Sequence, residues 1–499
     1  MTRANDDAVT PTSHGAPTEK LVRAEDWRES CSGEMARGHL MTLYAVSGHG
    51  RRGAAGGNPH ASPAEADRAV RAVFASRKGL HVLTCPVPAG HVATIVDLLP
   101  AAAWAEREAH DSYGVRFDGH QPLRPLIAHP SDLEDWTLPV HGRDAYQVAV
   151  GPIHAGVIES GHFRFHVVGE RILHVDVRLF YKHRGLERAA EGSTPAEGLA
   201  FAQRACGACA VSNSLAYAHA CETALGLAPS PELARARTLL LELERLYNHL
   251  NDIGAACAGV GFGPGAMIFA SLKERAQRVN LLLTGHRFLF AAVAVGRSDL
   301  ALAEPELASA RRELAALGAE ARKAWHEVLF NAAVQDRFVG VGALSRDEAR
   351  RLGAVGPVAR ASGVVRDERM WTDRLRYPDF EPAVLRHPMG DVSSRVNQRA
   401  LEVDVTLAML GDLLAHPISP SAAAPGAPGG ALGVGIVESP RGETVCVVET
   451  RHGRVDRLHL RTASLANWPA LAHAAAGQLF PDFPLINKSF ELCYACTDR

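Results

Sequence analysis

The sequence predicts an α+β chain of two parts, a small N-terminal α/β domain followed by a large, mainly helical domain. Three observations predict it. The chain has 499 residues, more than one hydrophobic core normally supports, so a second domain is expected. Short β-like runs fill the region before about residue 130, and one β-hairpin pattern follows. From about residue 195 onward, apolar residues recur at spacings of three and four, which is the helical period.

Residues 1–35 are rich in Thr, Asp, Pro and Gly without periodicity, and a second such stretch covers 48–68; both read as loop or disorder. The α/β domain is placed at 36–132. Within it, "GHLMTLYAVSG" (38–48) and "GLHVLTCPVPA" (79–89) read as strands, and "AEADRAVRAVFASR" (64–77) has helical spacing. Residues 133–150 read as a linker to a domain spanning 151–499. "HFRFHVVGERILHVDVRLFY" (162–181) alternates around Gly169 and predicts a β-hairpin. The segments at 231–259 and 305–330 carry the clearest amphipathic helices. A Pro/Gly/Ala run at 416–430 reads as a loop insertion before a last short β-like section.

Composition narrows the function. Apolar residues are 47% and charged residues 22%, the balance of a globular protein. A formal net charge of −2 argues against nucleic acid as a partner, because phosphate binding wants a basic excess. The N-terminus has no apolar signal region. The most apolar stretch, 281–296, is broken by His286 and Arg287 and falls short of the roughly 20 residues a membrane span needs. Nine cysteines in a chain without an export signal are expected to be reduced, so those that cluster point to metal or catalytic roles.

Two Cys-x-x-Cys pairs stand out: Cys206 and Cys209 in "RACGACAVSNS", and Cys493 and Cys496 in "CYACTDR". Chain ends usually fray, so thiols at 493 and 496 raise the question of what holds them. Two such pairs can form a tetrahedral zinc cage, but zinc ribbons bring their pairs together within one small module. These pairs are separated by more than half the chain, which suits a buried site better. A thioredoxin-like role fits less well, since neither pair opens a helix after a strand in a βαβ unit. Soft thiolates favour nickel, iron, copper(I) or zinc. Cys31, Cys85, Cys221, Cys257 and Cys446 are scattered and read as buried packing. Helical packing likewise accounts for Glu242, Arg245 and His249, and His162 and His219 read as ordinary core or surface histidines.

Seven motifs occur in fixed order: "GPIHAGVIESGHFRF" (151–165), "YKHRGLERAAEG" (181–192), "RACGACAVSNS" (204–214), "GPVARASGVVRDER" (356–369), "GDVSSRVNQRALE" (390–402), "ESPRGE" (438–443) and "CYACTDR" (493–499). Together they resemble the large subunit of nickel-iron hydrogenases of the energy-converting, formate hydrogenlyase type, which is related to the quinone-site subunit of respiratory complex I. Separately, "EREAHDSYGVRFDGHQPLRPLIAHP" (106–130) resembles the adjoining 30-kDa-type subunit of complex I. The chain looks like a fusion of the two.

The resemblance implies a nickel-iron centre whose iron carries diatomic ligands, with Cys206 and Cys493 as terminal nickel ligands and Cys209 and Cys496 bridging. Complex I relatives have lost these cysteines, so their presence favours hydrogen chemistry over a nickel-free quinone-binding or scaffold role. By the same resemblance Glu159 is the proton-relay carboxylate and Arg441 overhangs the open metal position. Family members usually carry His where this chain has Asn213, so the amide stands in for an imidazole bonded to a bridging sulfur. Many also carry a metal-binding His where this chain has Arg499. A guanidinium has no lone pair for a metal, so Arg499 is expected to pair with Glu187 directly, with no third metal. The chain has no iron-sulfur cysteine set of its own. It is therefore expected to need an iron-sulfur small subunit and integral membrane subunits of a complex I-like assembly. That places it in the cytoplasm, peripheral on the inner face of the cell membrane, exchanging dihydrogen for protons and electrons.

Overall fold

The computed structural model describes residues 15–47, 68–130, 136–153, 159–426 and 429–499. The N-terminal domain is built on a four-stranded sheet. Thr18–Leu21 runs parallel to Gly79–Pro86, which pairs antiparallel with Arg68–Ser76, which pairs antiparallel with Gly38–Ser47. The two strands expected at 38–48 and 79–89 are present.

Two expectations are corrected here. Residues 68–76, read as helix, form the second inner strand. Val70, Val73 and Phe74 have a spacing that either period tolerates, and pairing on both edges decides it. Val70, Ala72 and Phe74 face a core with Trp27 and Cys31, while Val73 and Ala75 face a sheet of the second domain. A strand buried on both faces loses its alternation. Likewise, the polar N-terminal stretch has regular structure within residues 15–35: Thr18–Leu21 joins the sheet, and the Trp27–Met35 helix buries Trp27 and Cys31 completely. Residues 1–14 and 48–67 lie outside the described residues.

The expected linker at 133–150 ends in a strand, Ala145–Val150, which pairs antiparallel with His162–Val168. That strand and Arg171–Arg178 form the predicted hairpin. Long helices follow at Ala210–Leu225, Pro231–Gly259, Gly263–Thr284, Glu304–Leu329 and Val392–Leu413. Their shared core is apolar, with Leu239, Leu243, Leu246 and Leu250 of the second helix fully or nearly fully buried. The 416–430 run is a loop, but it is pinned by two short antiparallel pairings, Ser421–Ala422 with Arg297–Ser298 and Ala424–Pro425 with Leu227–Ala228. The late β section is a meander of Leu432–Ser439, Gly442–Arg451 and Arg454–Arg461. The chain ends in short helices, the last at Tyr494–Asp498.

The N-terminal sheet stacks on this meander, with Met41, Tyr44, Val46 and Val73 against Val434, Ile436, Val445 and Val447. All five scattered cysteines are buried, in keeping with packing roles. Among the described residues, no helix is long and apolar enough to cross a membrane.

Candidate metal centre

Each cysteine pair sits at the start of a helix, where free backbone N–H groups face outward. Cys209 caps the Ala210–Leu225 helix, and its pair is anchored from the neighbouring Pro231–Gly259 helix. The Glu244 carboxylate accepts from Val211 N at 2.6 Å and Ser212 N at 3.0 Å. Tyr247 and Asn248 both donate to Ala208 O, at 3.0 and 2.8 Å.

The terminal pair is held as firmly. Cys493 caps the last helix, its backbone N donating to Ser464 Oγ at 3.0 Å. Thr462 Oγ1 donates to Cys496 O at 2.9 Å, and the Asp498 carboxylate accepts from Phe180 N and Lys182 N at 2.8 and 2.9 Å. The tail is therefore buried, with Cys496 1% and Arg499 2% exposed.

These two anchors bring the sulfurs together. Cys206 and Cys493 lie 3.1 Å apart, and the sulfurs of Cys206, Cys493 and Cys496 all fall within 4.8 Å of one another. Cys209 packs with Cys206 and Cys496, and these neighbours, helped by Arg441, pull its thiol down to about 6. Cys493 is pushed up to about 12, chiefly by its bond with Cys206. Four crowded sulfurs with ionisation split in this way form a donor set that a soft cation would satisfy.

Arg441 covers the cluster. Its Nη1 lies 3.9 Å from Cys209 Sγ and 2.7 Å from Asn248 Oδ1, its Nε donates to Glu491 O at 2.6 Å, and Nη2 is 3.6 Å from Asp252. Burial opposes its charge, but Asp252 and the Cys209 and Cys493 sulfurs hold it well above the ordinary range. The Arg441–Gly442 turn is fixed by contact with Gly356. A Cβ on Gly356 would sit 2.3 Å from Arg441 O, and one on Gly442 would sit 2.5 Å from Gly356 N, so both positions require glycine.

Glu159 is half-buried, and burial followed by the Cys493 thiol raises its carboxyl above the usual range, while the Ala495 N–H pulls it back. Arg499 Nη1 donates to Glu187 at 2.7 Å and to Leu460 O at 2.6 Å. Burial would raise the Glu187 carboxyl, yet Arg499, His459 and Arg457 hold it well below its ordinary value. Asn213 differs from expectation. It is 1% exposed and neither side-chain atom has a hydrogen-bond partner, so its amide is not bonded to a sulfur. Only its backbone N engages the site, donating to Cys209 O at 3.0 Å.

Sequence reasoning missed the Pro231–Gly259 helix as part of the site. Arg245, read as packing, donates to Glu438 O and Ser439 O at 2.5 and 3.1 Å and so holds the turn carrying Arg441. Glu244 and Asn248 hold the backbone on either side of Cys209, and Asn248 and Asp252 hold Arg441. Their spacing of four puts them on one helix face, and polar residues recurring at that interval along this helix were the available signal. Glu491, whose carboxyl burial and Asp252 push up to about 8, was also missed. His249 fits its packing reading, since it bonds the buried Glu402 at 3.0 Å.

Comparison with known proteins falls along the same lines. Residues 22–142 match the family described as Respiratory-chain NADH dehydrogenase, 30 Kd subunit; residues 260–422 match its 49 Kd subunit; and residues 184–251 match Nickel-dependent hydrogenase. The chain is 31% identical to formate hydrogenlyase subunit 5 of Escherichia coli, covering 81% of this chain and 76% of that protein. It is 31% identical to a carbon monoxide-induced hydrogenase of Rhodospirillum rubrum, covering 71% of this chain and 99% of that protein. Among solved structures it resembles a chain of the membrane-bound sulfane sulfur reductase, an archaeal respiratory membrane complex, with 26% identity and a TM-score of 0.66 over 72% of this chain and 100% of the other.

Proposed function

Because the chain belongs to the family of energy-converting, formate hydrogenlyase-type hydrogenase large subunits, with a complex I 30-kDa-type domain fused ahead of it, we propose that it is the catalytic subunit of a membrane-associated nickel-iron hydrogenase. The observation that carries this reading is the gathering of Cys206, Cys209, Cys493 and Cys496 beneath Arg441. The donor set fits the group. A nickel-iron centre held by these four sulfurs would supply the open, redox-active position at which dihydrogen is split.

The chain's own residues do the rest. Heterolytic splitting releases a proton that needs a base nearby. A carboxyl raised by burial and standing beside Cys493 suits that task, so Glu159 accepts the proton at a carboxylate oxygen and carries it away from the sulfurs. Arg441, locked by Asn248, Asp252 and Glu491 O, keeps a fixed positive charge over the cluster and excludes bulk water. Electrons leave through an iron-sulfur small subunit, and membrane subunits anchor the assembly at the inner face of the cell membrane.

Nickel and iron analysis of the purified complex tests the reading: about one nickel per chain is expected, lost in Cys496→Ala. The second reading is a nickel-free electron-transfer subunit of a complex I-like assembly. The unpartnered Asn213 amide and the match to the 49 Kd subunit favour it. A nickel-free complex with full oxidoreductase activity would establish it instead.

A further inference from the structure

Arg499 is gripped by two carboxylates from opposite parts of the chain. Besides Glu187, its guanidinium pairs through Nη2 with Glu108 at 2.8 Å. Glu108 lies on the Ala103–Tyr113 helix of the N-terminal domain, and its side chain is 13% exposed. The expectation from sequence paired Arg499 with Glu187 alone.

A guanidinium has five donors in a planar fork. Nε donates to Thr497 O at 3.3 Å, and Nη1 serves Glu187 and Leu460 O. Nη2 is the edge that turns toward Glu108. With Arg499 only 2% exposed, bulk water is not there to replace that carboxylate.

The grip reaches the sulfurs through the backbone. Arg499 N donates to Ala495 O at 3.2 Å, closing the turn in which Cys496 lies, and Arg499 O accepts from Arg184 N at 2.8 Å. Docking of the N-terminal domain also has contacts away from this site: Met41, Tyr44, Val46 and Val73 pack on Val434, Ile436, Val445 and Val447, and His39 lies 3.5 Å from Glu443. Glu108 is thus additional to docking and aimed at the tail.

We infer that Glu108 is a positioning residue for the metal centre: the N-terminal domain holds Arg499 and so closes the terminal turn that carries Cys496. The inference rests on the metal-centre reading only for its effect on nickel, since the pairing itself can be measured without metal.

Amide hydrogen exchange on the full chain in its purified complex tests it. In Glu108→Gln, exchange at residues 494–499 is expected to rise by about 10-fold, with the strands at 38–47 and 432–447 unchanged, and nickel per chain falls. Arg499→Lys, which keeps the charge but lacks the fork, gives the same local rise and serves if the first variant does not fold. Adding Glu108→Gln to Arg499→Gln produces no further rise, because the pair is already broken. Unchanged exchange at 494–499 in either single variant overturns the inference. So does an equal rise across the docking strands, or a further rise in the double variant. If the tail loosens as expected but the unaltered protein carries no nickel, the metal reading fails and the positioning role stands.

Discussion

The Arg441 guanidinium stands 3.9 Å from the Cys209 sulfur while Asn248 Oδ1 accepts from the same Nη1 at 2.7 Å. One hydrogen-bonded group therefore fixes the cation over a thiol that Cys206, Cys496 and Arg441 itself pull below the ordinary range. Replacing Arg441 with Lys keeps the charge but loses the fork that spans Asn248, Asp252 and Glu491 O. Hydrogen turnover is expected to fall by about 10²-fold, the scale for losing a preorganised donor at a reacting centre. Nickel content, measured on the same preparation, stays unchanged.

Arg360 is 1% exposed and serves three carboxylates, Glu402 at 2.9 Å, Glu438 at 2.8 Å and Asp367 at 3.0 Å. Arg360→Met takes Glu438's direct cation away and weakens the pairing of Glu402 and Asp367, which His249 and Arg369 also serve. The expected loss is about 3–5 kcal/mol, the cost of removing one partner of a buried pair, read as a lower Tm. A change of less than about 1 kcal/mol would contradict the idea that this arginine neutralises the cluster.

The Asn213 amide has no partner to lose. Asn213→Ala is therefore expected to leave the stability of metal-free protein within about 1 kcal/mol, or to raise it, since an unsatisfied buried polar group is already unfavourable. Thermal unfolding of the two proteins side by side decides it. A loss of several kcal/mol would show that the amide is bonded in solution.

Burial raises the Glu244 carboxyl from an ordinary 4.5 to about 7, against the pull of Ser212 and Val211. A carboxyl raised in the folded state binds its proton more tightly folded than unfolded. The stability it contributes is full below pH 4.5 and is lost as pH rises through about 7. Glu244→Gln is expected to remove a part of that slope on the order of 3 kcal/mol, measured as urea midpoints across this range. Glu438, also raised to about 7, keeps a residual slope.

Much of the site was legible because its chemistry is written in residue types. Two widely separated Cys-x-x-Cys pairs made their meeting an expectation before any coordinates, while Arg441 and the Glu187–Arg499 pairing were expected only from the resemblance that the seven motifs carry. The hairpin at 162–181 and the helices at 231–259 and 305–330 were equally readable, since their apolar residues recur at the strand or helix period.

What the sequence could not carry were choices made by partners far along the chain. Residues 68–76 are a strand because Gly38–Ser47 and Gly79–Pro86 supply hydrogen bonds on both edges, and burial on both faces erased the alternation that would have announced it. Arg245 read as helix packing, and Asp252 went unremarked, because the turn they hold, 438–442, arrives from almost two hundred residues away. Glu108 was invisible for the same reason. Local pattern alone marked the two cysteine pairs and the long helices, whereas the tertiary structure decided which buried charges face the sulfurs, because pairing a desolvated charge depends on where chain-distant groups meet.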